Sequence, residues 1–217
     1  MAELLAAAGA KADAQGVAAA ELEARRALHA ALDQGVADTE PTVWRDYFGA
    51  IFRGAGVPDA GMEEAGRLLR EVHAHDHLWT HVAEGTHEAL TALAGAGYRL
   101  GVISNADGRV EGVLEEVGLR RHFEFVVDSE LFGAEKPDPS IFLEGCRRMG
   151  LPPAACLYVG DLYPVDYLGA TRAGLGAVLL DPLGLHEGRA PRVAALGELE
   201  AFLANGDARG AAVSTHG

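Results

Sequence analysis

Three short groups of side chains are of the right type and spacing to handle an anion and a cation together. Asp161 follows the apolar run 156–159 after a single glycine, and a second carboxylate, Asp166, lies five residues further on. A carboxylate leaving a buried strand, backed by another, suits a hard cation. Magnesium takes one or two carboxylates and completes its sphere with water and substrate oxygens. Gly160 allows close backbone approach there, while Asp166 taken alone equally suits the cap of the helix that follows. Ser104 and Asn105 emerge from the apolar run 98–103. A hydroxyl, an amide and turn N–H groups are fitted to phosphoryl oxygens, although the same pair also makes an ordinary capping turn. Lys136 stands in Glu135-Lys136-Pro137-Asp138-Pro139. The two prolines restrict the residues before them and so the direction of the ammonium, which either offsets charge on a transferring group or is a solvated loop lysine.

Lysine is scarce in this chain. Of 18 basic residues only Lys11 and Lys136 are lysines, the rest being arginine. A lysine kept inside such a segment is informative, because a compact ammonium on a flexible stem is not reproduced by arginine's planar fork. The formal net charge of −14 argues against nucleic acid or an anionic membrane as partner. A small phosphorylated metabolite remains compatible, since a cation and local amides can outweigh the global field. The opening residues Met1-Ala2-Glu3-Leu4-Leu5 lack the basic region of a signal peptide, and no apolar run approaches the ~18 residues of a membrane span. A cytoplasmic protein, monomer or homodimer, is expected. Cys146 and Cys156 are expected to be buried, reduced thiols.

Positioning these groups requires particular elements. Residues 18–32 are alanine-rich with good helix formers, and apolar residues recur at three- and four-residue spacing over 41–52 and 62–72, which predicts helices; nothing before residue 79 reads as a strand. From Gly85 the pattern alternates: helices over 86–96, 109–117, 139–149, 164–173 and 196–203, and strands over 98–103, 123–127, 156–159 and 177–180. Near-continuous apolar strands joined through single helices predict an α/β fold with a parallel sheet covered on both faces. Ligands gather at the carboxyl ends of such strands, where all three groups lie. The division expected is a helical domain over 1–80, an α/β core over 81–205 and a frayed tail over 206–217. His73, His77 and His81 would share one face if their segment were helical, and could then bind zinc; a solvated hinge is the simpler reading.

Taken in order, Ser104-Asn105, Lys136-Pro137-Asp138-Pro139 and Gly160-Asp161 through Asp166 resemble the second, third and fourth signature motifs of the haloacid dehalogenase superfamily. The flanks Leu100–Ile103, Ser129-Glu130 and Gly169-Ala170 agree, and the likeness runs over residues 79–181 with a helical cap upstream. The resemblance implies a Rossmann-like core and magnesium-dependent hydrolysis of a phosphomonoester through an aspartyl phosphate. It further implies that Ser104 and Asn105 bind the phosphoryl group, that Lys136 balances its charge, that Asp161 ligates Mg2+ and that Asp166 supports that site.

The superfamily's first motif, a strand ending in Asp-x-Asp that carries the nucleophile, has no counterpart before residue 85. Asp13-Ala14-Gln15-Gly16 is a poor imitation, because no strand precedes it. The first core strand is therefore expected to be missing and activity to be weak. Two further readings stay open: a non-catalytic phosphate- and metal-binding module, and a haloacid dehalogenase, for which the two carboxylates Asp161 and Asp166 are less apt. Phosphonate cleavage would want a cap lysine, and Lys11 is poorly placed for it.

Overall fold

Helix-forming residues in the first part of the chain make α1 (Ala2–Ala7), α2 (Ala14–Asp33), α3 (Pro41–Gly54) and α4 (Met62–Asp76), in a computed structural model that describes residues 2–10, 13–36 and 40–205. Lys11 and the tail 206–217 lie outside those residues. Asp13 starts α2 as its N-cap, its carboxylate accepting the Gly16 N–H at 2.9 Å. That accounts for the aspartate without any chemistry. Pro41 opens α3 at a position where its missing N–H costs nothing. A methyl group on Gly54 would sit 2.6 Å from the Ala20 methyl, so only glycine allows α2 and α3 this approach. Leu5, Phe52, Ala65 and Leu69 close one core here. The chain divides into two compact units, Met1–Trp79 and Thr80–Gly217, and no described helix is long and apolar enough to cross a membrane.

The second unit alternates as its pattern requires. Its elements are α5 (Thr86–Gly95), β1 (Val102–Ser104), α6 (Val110–Glu116), β2 (Val126–Asp128), α7 (Ser129–Phe132), α8 (Pro139–Met149), β3 (Leu157–Gly160), a π-helical turn (Tyr163–Tyr167), α9 (Leu168–Arg172), β4 (Gly176–Leu180), β5 (Arg192–Val193) and α10 (Leu199–Ala204). All ladders are parallel: β1 with β2, β3 with β4, and β4 with β5. One sheet was expected. Among the described residues there are two, β1-β2 and β3-β4-β5, so β1 and β3 each keep a side unpaired in any ladder.

A side chain spans the divide. The Tyr158 hydroxyl, from β3, donates to the Ile103 carbonyl of β1 at 3.1 Å. Beneath it, Val127, Ile141, Phe142, Cys146, Ala170 and Ala177 form one buried cluster drawn from both sheets and the helices α8 and α9. Phe142, fully buried, meets the Tyr158 ring edge-on with centroids 5.0 Å apart. Packing and one hydrogen bond thus join the ladders where backbone pairing does not. Tyr158→Phe should therefore lower stability by about 1–3 kcal/mol, read by urea denaturation. A loss below a few tenths would mean that the hydroxyl does not bridge the sheets.

Candidate active site

The carboxyl ends of β1, β2 and β3 carry the candidate groups, and each is fixed by its neighbours. Ser104 ends β1 and pairs in register with Asp128 at the end of β2. The chain beyond β1 is tied down by β2: the buried Asp128 carboxylate accepts N–H bonds from Gly108 (3.1 Å) and Glu130 (3.0 Å), and the Ser129 hydroxyl accepts from Ala106 N at 3.0 Å. Asn105 then reaches the next segment. Its Nδ2 donates to the Lys136 carbonyl at 2.9 Å while its Oδ1 accepts the Lys136 N–H at 2.7 Å. Both ends of one amide therefore grip one residue's backbone. The Lys136–Pro137 peptide is cis.

Lys136 turns inward. Its Nζ donates to Asp166 Oδ1 at 2.7 Å and to the Tyr158 hydroxyl at 3.0 Å, with only 11% of its side chain and 3% of that of Asp166 exposed. The solvated-loop alternative for Lys136 is thereby excluded. Burial by itself would push the ammonium down; the tyrosine oxygen and the Asp166 carboxylate outweigh it and hold the group above its ordinary value. Burial raises the Tyr158 phenol as well, which keeps it neutral. A neutral phenol exerts no full-charge attraction, so Asp166 is the partner that keeps Lys136 charged.

Asp166 lies inside the π-helical turn rather than at the start of a helix, so the helix-cap alternative does not apply. Its Oδ2 accepts the Leu162 N–H at 2.9 Å, and its own N–H donates back to the Leu162 carbonyl at 2.7 Å. Both carboxylate oxygens thus have chain donors. Gly160 is what allows this: a methyl group there would stand 2.6 Å from Asp166 Cβ. Asp161, next in the chain, is exposed and close enough for its charge to help raise the Tyr158 phenol. Two carboxylates five residues apart therefore differ in setting: Asp166 is buried and Asp161 is exposed. The oxygen set of Asp161 suits a hard cation that takes further oxygens from water and ligand.

Tyr158 and Asp128 were passed over in the sequence. Asp128 had a readable signal, a carboxylate directly after the apolar pair Val126-Val127. Tyr158 had none, because an aromatic in a buried strand ordinarily packs. The helix expected to carry the three histidines stops short: α4 ends at Asp76 and His77 has a positive φ of 50°, although the His73 and His77 rings still lie together with centroids 4.7 Å apart. His73 and His77 instead accept backbone N–H groups from Leu78 and Trp79 at 3.4 and 3.3 Å.

Residues 3–174 match the haloacid dehalogenase-like hydrolase family. Mouse haloacid dehalogenase-like hydrolase domain-containing protein 3 is 41% identical over 138 residues, covering 63% of this chain and 55% of that protein. Glyceraldehyde 3-phosphate phosphatase of Methanothermobacter thermautotrophicus is 42% identical over 97 residues, 44% of this chain and 43% of the relative. The chain spans about half the length of the curated relatives it matches. Among solved structures, a HAD phosphatase from Thermococcus onnurineus superposes with a TM-score of 0.55 at 26% identity, covering 67% of this chain and 69% of that one. YfnB from Bacillus subtilis, bound to magnesium, gives a TM-score of 0.68 at 20% identity over 93% of this chain and 88% of that one, a likeness of fold. On the family match over residues 3–174, this chain belongs to the haloacid dehalogenase-like hydrolases.

Proposed function

We propose that the site serves magnesium-dependent hydrolysis of a small phosphomonoester through an aspartyl phosphate. The observation that carries this reading is the buried, charged Lys136 held by Asn105, Tyr158 and Asp166 where β1 and β3 end. A cation fixed in that place, beside a solvent-facing Asp161, favours an anion that arrives with or near a metal ion. The phosphatase name of the archaeal relative points the same way.

In this reading Ser104 and the amide groups after β1 bind the phosphoryl oxygens, and Lys136 offsets their charge. Asp161 holds Mg2+, which when bound would polarise the phosphoryl group. Asp166 does not ligate directly; it fixes Lys136 and the Leu162 turn, and so positions Asp161 from behind. Both carboxylates are then committed, so the acceptor aspartate is a third residue. We assign it to an extended apolar segment beside the unpaired sides of β1 and β3, whose carboxyl end would reach the same pocket. The rival reading, binding without turnover, shares every residue except that acceptor.

The test separates binding from turnover. Calorimetry with Mg2+ and inorganic phosphate should show phosphate binding strengthened by the cation, and Asp161→Asn should remove that strengthening. Phosphate binding indifferent to both Mg2+ and Asp161 would end the metal assignment. Assayed with p-nitrophenyl phosphate, the 217-residue chain should fall about 10⁴–10⁶-fold short of an enzyme with its nucleophile in place. Brisk turnover would show that an acceptor lies within the chain and overturn the assignment to another segment.

The Lys136–Asp166 pair also makes a stability prediction with a definite sign. Asp166→Ala strands a buried ammonium and should cost about 3–5 kcal/mol, while the double variant Lys136→Met with Asp166→Ala should cost clearly less. Since the folded-state value of Lys136 is raised, its contribution is complete below the unfolded lysine value and is lost only as pH climbs through the folded one. The wild-type advantage over the double variant should therefore stay level from about pH 6 to pH 9. A fall within that interval, seen in urea titrations at each pH, would show that Lys136 is not held charged.

A further inference from the structure

Helix α8 and strand β3 present two matched pairs of side chains to each other. Phe142 and Cys146 are one turn apart on α8 and so share a face; Tyr158 and Cys156 are two residues apart along the β3 segment and share a face there. The first of each pair meet as crossed rings, with centroids 5.0 Å apart. The second of each pair are the chain's two cysteines, and the same offsets carry both to one end of this contact: Cys156 packs on the buried cluster that contains Cys146. The ten-residue step between them is stiffly made. Gly150 turns the chain with a φ of 66°, the Cys146 carbonyl accepts the Leu151 N–H at 3.1 Å, and Pro152-Pro153 leads into β3, with the Cys156 sulfur 3.7 Å from the Pro152 carbonyl.

We propose that Cys146 and Cys156 form a reversible disulfide, closed by a low-molecular-weight disulfide oxidant of the glutathione type, that fastens α8 to the start of β3. The two thiols differ as such a pair requires. Cys146 is buried, whereas Cys156 is only half-buried and is the sulfur an oxidant from solvent reaches first. Burial, with Cys156 as its neighbour, pushes the Cys146 thiol up to about 12, so Cys146 keeps its proton and the reduced pair is the resting form. Cys156, as thiolate, attacks one sulfur of the oxidant; the oxidant's S–S bond breaks and one small thiol leaves with a proton. Cys146 then releases its proton to water and its sulfur attacks Cys156 Sγ, expelling the second small thiol. Two electrons and two protons have passed from the cysteine pair to the oxidant. The second step waits on deprotonation of a buried thiol, so closure is slow and needs sustained oxidation.

The location gives the bond a consequence. Cys156 lies two residues before Tyr158, whose hydroxyl joins Lys136 to Ile103. A covalent tie there holds β3 against α8 at the end of the strand remote from Asp161.

Trypsin provides a clean readout, because Arg147 and Arg148 lie between the two cysteines. The intact chain is incubated with oxidised glutathione, unfolded in guanidinium, treated with iodoacetamide without reductant, and digested. The expected result is a mass loss of about 2 Da with no alkylation, and two cysteine peptides that travel as one species until dithiothreitol separates them. Cys156→Ser should yield only singly alkylated chain. Two alkylated cysteines after oxidation, or a glutathione adduct stalled on Cys156 with Cys146 alkylated, would overturn the proposal. Should Cys156→Ser fail to fold, the wild-type peptide map decides alone.

Discussion

A buried ammonium is costly to maintain, and the arrangement around Lys136 follows from that cost. Removing a charge from water carries a penalty of several kcal/mol, recovered only when geometry is good and remaining donors are satisfied. Here the ammonium meets a carboxylate at 2.7 Å and a hydroxyl at 3.0 Å, while Asn105 grips the backbone of the same residue from both sides. Asp166 is in turn steadied by Leu162, and Tyr158 by Ile103. One charge thus ties together the ends of β1 and β3, the Lys136 segment and the π-helical turn. Such a centre is organised before any ligand arrives, which is the condition under which fixed charge acts most strongly on a reacting group.

The same logic separates Asp161 from Asp166. They are five residues apart and chemically identical, yet the turn from Leu162 to Tyr167 folds one back under Gly160 and leaves the other outside. A side chain on Gly160 would displace Asp166 and with it the partner of Lys136. The glycine therefore matters to the ion pair more than to any ligand. Asp128 does comparable work on the other side: its carboxylate collects N–H groups from the segment after β1, so that Ser104 and Asn105 leave the strand along a fixed course.

Much of this was legible in the residues. Charged and polar groups that follow apolar runs are conspicuous, among them Ser104, Asn105 and Asp161, while Lys136 stands out by the scarcity of lysine and its flanking prolines. Helices α3 and α8 begin where their prolines predict, because proline at a helix start has one local cause. One strand is much shorter than its apolar run: 98–103 reduces to Val102–Ser104, since a strand lasts only as long as its partner, and partners are not local. Roles that depend on contact across the fold were equally hidden. Tyr158 reads as packing until Lys136 and Ile103 are seen on either side of its hydroxyl, and the histidines after residue 72 read as one face until α4 stops at Asp76.

The divided sheet is the feature that local patterning could not supply, and magnitudes show why it matters. One side-chain hydrogen bond, from Tyr158 to Ile103, contributes about 1 kcal/mol net. A full strand between β1 and β3 would instead pair backbone groups along both. Exposed ladder edges are ordinarily covered, twisted away or blocked by charge. Yet β1 and β3 end in the groups that hold Lys136, so covering their edges with charge would disturb the ion pair. An extended apolar segment would satisfy the backbone without competing for that ammonium, and if such a segment ended in a carboxylate, Lys136 would already be there to meet it.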